Sequence, residues 1–273
     1  MRGYRNVSAV DVLTPRSLDE ALRLTSEHPE AVPLQGGTDL LVDLNFDRRR
    51  PEVILNLNEV AELRGWSREN GLLRLGSGLT YTEAMDEPLA GLLPALAEAS
   101  RTVGSPQIRN RGTIGGNLGT ASPAGDALPP LLIEGARVEL ASVRGTRRVP
   151  LPEFLVGPKR NALAPDELIT QVLVEPSGAP QTFMKVGPRN AMVIAVCSLA
   201  VVLDRDAGEV RASYGSAGPV PGLVRVSLDQ SDSLSEEVAA AASPIDDVRG
   251  TAAYRRHALR VLAGRALERC LAA

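Results

Sequence analysis

Aromatic side chains make up only 3% of this 273-residue chain, which argues against the stacking platforms that bind single-stranded nucleic acid. Histidine occurs only at His28 and His257, neither within a glycine-rich segment. No Ser–His–Asp order or general-base histidine emerges, which removes hydrolytic mechanisms, and both rings read as surface groups. Cysteine is as scarce, with only Cys197 and Cys270. Two distant thiols cannot hold an iron–sulfur cluster, which takes about four protein ligands, and they offer no disulfide framework. Cys197 lies in the apolar run 191–203 and reads as a buried, inert thiol. No stretch approaches the length of a membrane span, and the N-terminus MRGYRNVSAVDVLTP lacks a continuous apolar core, so a reduced, cytoplasmic setting is expected. The net charge of −3, with both signs interspersed, excludes wholesale attraction to nucleic acid or anionic membranes.

Glycine (25) and proline (20) are plentiful and gather at apparent turns. The length suits two domains with their own cores. Residues 17–27 carry a helix start, with Ser17 as cap and Glu20 three positions on. Residues 31–34 form a short apolar run ending at Gly36-Gly37, 40–46 suit a short helix, and 53–57 form a second β-rich run. This order is that of a small α/β unit. From Gly71 onward, 72–78 read as a strand entering a turn, and 81–85 and 89–101 as helices. Residues 103–127 lack periodicity and read as a loop, whose mid-domain position marks it as functional. Residues 136–141, 147–150 and 168–175 alternate as strands of a mainly antiparallel sheet. A boundary is drawn at 176–180. Beyond it, 181–186, 192–204 and 209–215 suggest a strand meander. Two helices follow at 233–243 and 251–271, the latter with Tyr254, Ala258, Val261 and Leu262 on its apolar face.

Two segments carry candidate chemistry. Gly36-Gly37-Thr38-Asp39 follows an apparent strand, and amides in such a turn can converge on an anion; taken alone, the pair reads better as a tight turn that needs positive φ. Thr113-Ile114-Gly115-Gly116-Asn117 is a second such segment, preceded by Arg109 and Arg111 and followed by Thr120, Ser122 and Asp126. Amides for a pyrophosphate plus a carboxylate for a ribose or adenine donor make a kit for a dinucleotide. Neither segment matches G-x-G-x-x-G or G-x-x-x-x-G-K-[ST], so Rossmann and P-loop readings fail on spacing. The run Asp47-Arg48-Arg49-Arg50 reads as a solvated turn. Asp43 and Asp47 find no further ligands, so no metal site is expected.

The order GGTD, then SPQIRNRGTIGGNLGTASPAGD, then SPIDDVRGTAAYRRHALRVLAGRAL resembles the flavoprotein subunit of the xanthine dehydrogenase and carbon monoxide dehydrogenase family. The likeness runs over nearly the whole chain. It implies an α+β fold: a two-lobed FAD-binding domain of the PCMH/vanillyl-alcohol-oxidase type, then a C-terminal domain of antiparallel strands and helices. The expected division is 1–176 (small α/β lobe 1–58, larger mixed lobe 59–176) and 177–273. By motif, the resemblance implies that Leu34, Gln35, Gly36, Gly37, Thr38 and Asp39, with Thr113, Ile114, Gly115, Gly116 and Asn117, clasp the FAD pyrophosphate. Thr120 and Ser122 would face phosphate or ribose, Asp126 the adenosine half, and Leu168 or Leu173 an apolar part of the cofactor. Lys185 would sit near the flavin ring, favouring negative charge on reduced flavin. Where xanthine dehydrogenases carry an aromatic residue about ten positions before the second glycine segment, this chain has Val103, and the cysteine-rich cluster-binding loop that some relatives insert is absent from the sequence.

The resemblance further implies an electron-transfer role. A molybdopterin-containing large subunit would oxidise the substrate. A small subunit with [2Fe-2S] clusters would relay electrons to non-covalent FAD, and NAD, oxygen or a quinone would accept them. The expected assembly is a heterotrimer or its dimer. A stand-alone FAD oxidoreductase of the same fold and a non-enzymatic nucleotide-binding module are the alternatives.

Overall fold

The computed structural model describes residues 10–190 and 192–273. Its first sheet is small and parallel, in the order β1 (Asp11–Leu13), β3 (Val53–Asn56), β2 (Val32–Leu34). Helix α1 (Leu18–Glu27) connects β1 to β2, with the Ser17 hydroxyl accepting from the Glu20 amide as the sequence predicts. Helix α2 (Leu40–Asn45) follows the GGTD turn and buries none of its residues. Ala21, Leu55, Leu57, Val60 and Leu63 form the core under this sheet.

The second sheet is antiparallel throughout and is built from β4 (Trp66–Glu69), β5 (Leu72–Gly76), β6 (Arg137–Ser142) and β7 (Gly145–Pro150). A hairpin of β8 (Leu155–Gly157) and β9 (Arg160–Asn161) precedes its central strand, β10 (Leu168–Val174), which pairs with both β5 and β6. The predicted helix at 89–101 is broken in two, α3 (Leu89–Leu92) and α4 (Pro94–Thr102). Pro94 disfavours helical backbone at Leu93, which takes φ −132° and ψ 65°.

The reading of 103–127 as loop is corrected. Two short helices lie there, α5 (Pro106–Arg109) and α6 (Ile114–Thr120), capped by the hydroxyls of Ser105 and Thr113. Glycines in the first turn of α6 hide its periodicity from a sequence reading, yet Ile114 and Leu118 are fully buried, one turn apart. Helix α7 (Leu128–Ile133) and the short α8 (Leu151–Phe154) complete this layer.

The third sheet is the predicted meander with a fourth strand added: β11 (Gln181–Val186), β12 (Cys197–Asp204), β13 (Glu209–Gly215), β14 (Gly222–Ser227), all antiparallel. One face packs on α9 (Leu234–Ala241) and α10 (Ala252–Leu271), and the other on α4 and α7. The apolar face of α10 is rotated from expectation. Tyr254 is half-exposed, whereas Arg255 is buried because its guanidinium donates to the Ser216 carbonyl and to Asp247. Ala258 and Leu262 are buried as expected, and Leu259, Ala263, Ala266, Leu267 and Cys270 complete the stripe. No helix among the described residues is long and apolar enough to cross a membrane.

Candidate cofactor site

The GGTD turn and the segment before α6 are locked together at their backbones. A Cβ on Gly36 would run into the Arg111 carbonyl, so only glycine allows this approach. The Thr120 hydroxyl then donates to Asp39 at 2.7 Å, tying the far end of α6 to the same turn. Between these elements and β10 lies a cleft of about 730 Å³, a volume within the range of ligand pockets.

Of the residues predicted from sequence, Gln35, Gly36, Gly37, Thr38, Asp39, Thr113, Gly115, Gly116, Asn117, Thr120, Ser122, Asp126 and Leu168 line this one cleft. Leu34, Ile114, Leu173 and Lys185 do not. Ile114 and Leu173 are core residues, 0% and 1% exposed. Lys185 lies behind the lining, its Nζ 2.6 Å from Asp126 Oδ2. The two arginines preceding α6 also turn elsewhere: Arg109 donates to the carbonyls of Val103 and Gly104, and Arg111 to Asn58. The cations on the cleft wall are instead Arg49, from the run read as a solvated turn, and Lys159 of the β8–β9 hairpin.

The two glycine segments play different parts. In the first, the amides of Gly36, Gly37, Thr38 and Asp39 have no acceptor among the described residues, leaving a group of free donors at the start of α2. In the second, the four amides after Thr113 are spent: Ile114 donates to the Leu79 carbonyl, Gly115 to Ser77, Gly116 to the Thr113 hydroxyl, and Asn117 to the Thr113 carbonyl. Gly115 is there for packing, because its Cβ would lie 2.5 Å from the Ser77 Cβ. Gly116 and Gly119 are exposed. A Cβ on Gly116 would meet only the Thr113 hydroxyl at 3.1 Å, and one on Gly119 only Ile169 at 3.9 Å. Their missing side chains keep the cleft open.

Acceptors without donors share the cleft with the free amides. Gln35 Oε1, Asn117 Oδ1 and Asp126 Oδ1 are buried and unpartnered among the described residues, and all three side chains belong to the lining. Unpaired buried acceptors are costly and call for donors. A dinucleotide meets both needs: phosphate oxygens accept from the amides, and ribose hydroxyls or an adenine amino group donate to the acceptors. The donor set fits FAD. No group of acidic, histidine and cysteine side chains among the described residues could hold a metal ion.

Sequence reasoning missed Tyr81. Its ring is 5% exposed, lines the cleft and packs on Gly112. Burial, and then the charges of Asp126 and Asp39, hold its phenol well above the ordinary range, so it remains a neutral donor. It stands outside any glycine motif, and no local signal marks it. Val103, Val193 and Ile194 supply apolar wall at the same cleft.

Comparison with known proteins decides the family. Residues 7–176 match the family described as the FAD binding domain in molybdopterin dehydrogenase. The chain belongs to this family. It is 30% identical to the xanthine dehydrogenase FAD-binding subunit of Escherichia coli O157:H7, over 94% of each chain. It is 32% identical to the carbon monoxide dehydrogenase medium chain of Afipia carboxidovorans, over 96% of each. A chain of CO dehydrogenase from Oligotropha carboxidovorans superposes with a TM-score of 0.90 at 27% identity, covering 97% of this chain and 98% of that one. The family places this protein among FAD-binding subunits of oxidoreductases.

Proposed function

We propose that this chain is the electron-transfer flavoprotein subunit of a molybdenum hydroxylase complex, with FAD held non-covalently in the cleft between the GGTD turn and α6. The observation that carries this reading is the pairing of free amides at Gly36–Asp39 with the unpartnered acceptors of Gln35, Asn117 and Asp126 in one cleft. The amides and the positive N-terminal end of α2 hold the pyrophosphate. Arg49 and Lys159 add charge at the rim. Thr120 and Ser122 face phosphate or ribose, and Tyr81 donates from the wall. Leu168 and Ile169 cover an apolar part of the cofactor. Leu34, Ile114 and Leu173 support the lining from behind. Neither His28 nor His257 lines the cleft, which supports non-covalent attachment.

When bound, FAD supplies the redox chemistry, and the chain supplies position, electrostatics and exclusion of water. Residues 1–176 form the FAD-binding domain of the PCMH type, with lobes 1–58 and 59–176, and 177–273 form the closing domain. Electrons come from [2Fe-2S] centres of a small partner, and a large partner carries molybdopterin and sets the substrate. The proposed assembly is a heterotrimer or its dimer, in the cytoplasm, with NAD, oxygen or a quinone as acceptor. That relatives are named medium chains and FAD-binding subunits supports this division of labour. Affinity purification of the tagged chain from its native host tests it. Two co-purifying partners, one with iron–sulfur absorbance, are expected; a chain that purifies alone and turns over a substrate by itself would overturn the subunit reading.

A further inference from the structure

Lys185 belongs to β11 of the C-terminal sheet, whereas Asp126 lies in the turn between α6 and α7, on the cleft wall. Their side chains are 5% and 9% exposed and meet at 2.6 Å. The same ammonium donates to the Thr102 carbonyl at the end of α4, at 3.3 Å. One lysine thus joins three separate segments beneath the cleft. Such a pair contributes little to stability, because desolvation of both charges offsets their attraction. Its surroundings are not tuned for cheap burial either. Ser198, opposite Lys185 in the ladder, is 1% exposed and its hydroxyl is unpartnered among the described residues. What the pair does provide is a charge of fixed position. Asp126 Oδ2 is taken by Lys185, and Oδ1 is left without a partner in the lining.

We propose that Lys185 is a positioning residue acting through Asp126: by inserting its ammonium under the cleft, the C-terminal sheet keeps this carboxylate ionised and oriented for a donor group of the cofactor. Tight binding of FAD then requires the sheet to be docked. The proposal rests on the FAD reading and assigns Lys185 a place behind the cleft wall rather than beside the flavin ring. Burial raises the Asp126 carboxyl and Lys185 opposes that rise, with the balance above the ordinary value. Removing the lysine would drive it higher still. Tyr81 feels the charges of both Asp126 and Asp39 on the cleft side, and Glu98, one turn before Thr102 on α4, is paired with Arg269 of α10.

The test is FAD affinity of the full chain between pH 5.5 and 9, followed by flavin fluorescence, for the wild type, Lys185→Met, Lys185→Arg, Asp126→Asn and the double variant Lys185→Met/Asp126→Asn. A donor to a carboxylate binds best above the pKa of that carboxylate, so affinity rises with pH through it. Lys185→Met is expected to shift this rise upward, weakening FAD about tenfold on the rising limb. Lys185→Arg should stay near wild type, Asp126→Asn should lose the pH dependence, and the double variant should bind no worse than Asp126→Asn. A Lys185→Met profile identical to wild type would overturn the proposal, whatever its melting temperature. Should Lys185→Met fail to fold, a pH dependence that persists in Asp126→Asn would overturn it as well. A wild type that binds no FAD would remove both this proposal and the reading beneath it.

Discussion

The two adjacent glycines of α6 predict opposite outcomes for the same substitution. At Gly115, valine would place its Cβ 2.5 Å from the Ser77 Cβ and 2.6 Å from the Ser77 carbonyl oxygen, so the junction of α6 with the segment after β5 must open. The 2.8 Å hydrogen bond from the Gly115 amide to Ser77 goes with it, at about 1 kcal/mol. Overpacking adds roughly 1–3 kcal/mol. Gly115→Val should therefore lower the stability of the cofactor-free protein by about 2–4 kcal/mol. At Gly116 the new Cβ meets only the Thr113 hydroxyl at 3.1 Å and otherwise points into the cleft. Replacing glycine in a helix recovers a few tenths of a kcal/mol, so the apoprotein should melt within a few degrees of wild type. The cost falls on the ligand instead. Crowding worth about 1–3 kcal/mol corresponds to roughly 5- to 150-fold weaker FAD binding. Urea unfolding of the apoproteins and FAD titration separate the two effects. Equal destabilisation by both substitutions, or FAD affinity unchanged in Gly116→Val, would refute the assignment of packing to one glycine and clearance to the other.

Other substitutions probe separate parts of the account. Thr120→Val removes the hydroxyl that donates to Asp39 at 2.7 Å; FAD affinity should fall about 3- to 10-fold with a stability loss near 1 kcal/mol, and unchanged affinity would show that the tie does not shape the cleft. Arg255→Met strips Asp247 of a buried partner and should cost about 3 kcal/mol in urea unfolding. Although burial alone would raise it, Asp247 is held well below the usual carboxylate range by the Arg249 amide and the Arg255 and Arg249 guanidiniums. A depressed folded-state value means stability present above about pH 4 and lost as the pH falls below it. Arg255→Met should accordingly flatten the acid limb of the stability profile, and an unchanged limb would contradict this. Burial pushes the Cys197 thiol up to about 12 and Cys270 up to about 11. Neither should react with a thiol reagent at pH 8 before unfolding, and modification of the native protein within minutes would overturn that assignment.

Much of this fold is legible in the residues because local chemistry and tertiary need agree. Ser17 and Thr251 cap the helices they announce. The runs 168–175 and 181–186 yield strands, and β10, as the central strand of its sheet, is buried on both faces. Legibility ends where the tertiary context overrides the local pattern. Helix α6 hides behind its glycines, since its first turn is spent on backbone approach and cleft clearance rather than on an apolar stripe. Arg255 replaces Tyr254 on the buried face of α10, because Asp247 and the Ser216 carbonyl are waiting there. The candidate site divides in the same way. The glycine segments and Asp126 are visible as motifs, but a sequence cannot say which amides remain free. Arg109 and Arg111 look like phosphate ligands and serve as struts, whereas Arg49 and Lys159 look like surface charge and line the cleft.

The most direct measurement of the central claim is the visible absorbance of the purified full chain, before and after incubation with FAD and desalting. The account predicts flavin bands, released as FAD by denaturation without covalent residue, at a stoichiometry approaching one per chain in the wild type and well below it in Gly116→Val. A colourless protein that takes up no FAD, or a Gly116→Val variant that retains it as fully as wild type, would contradict the account.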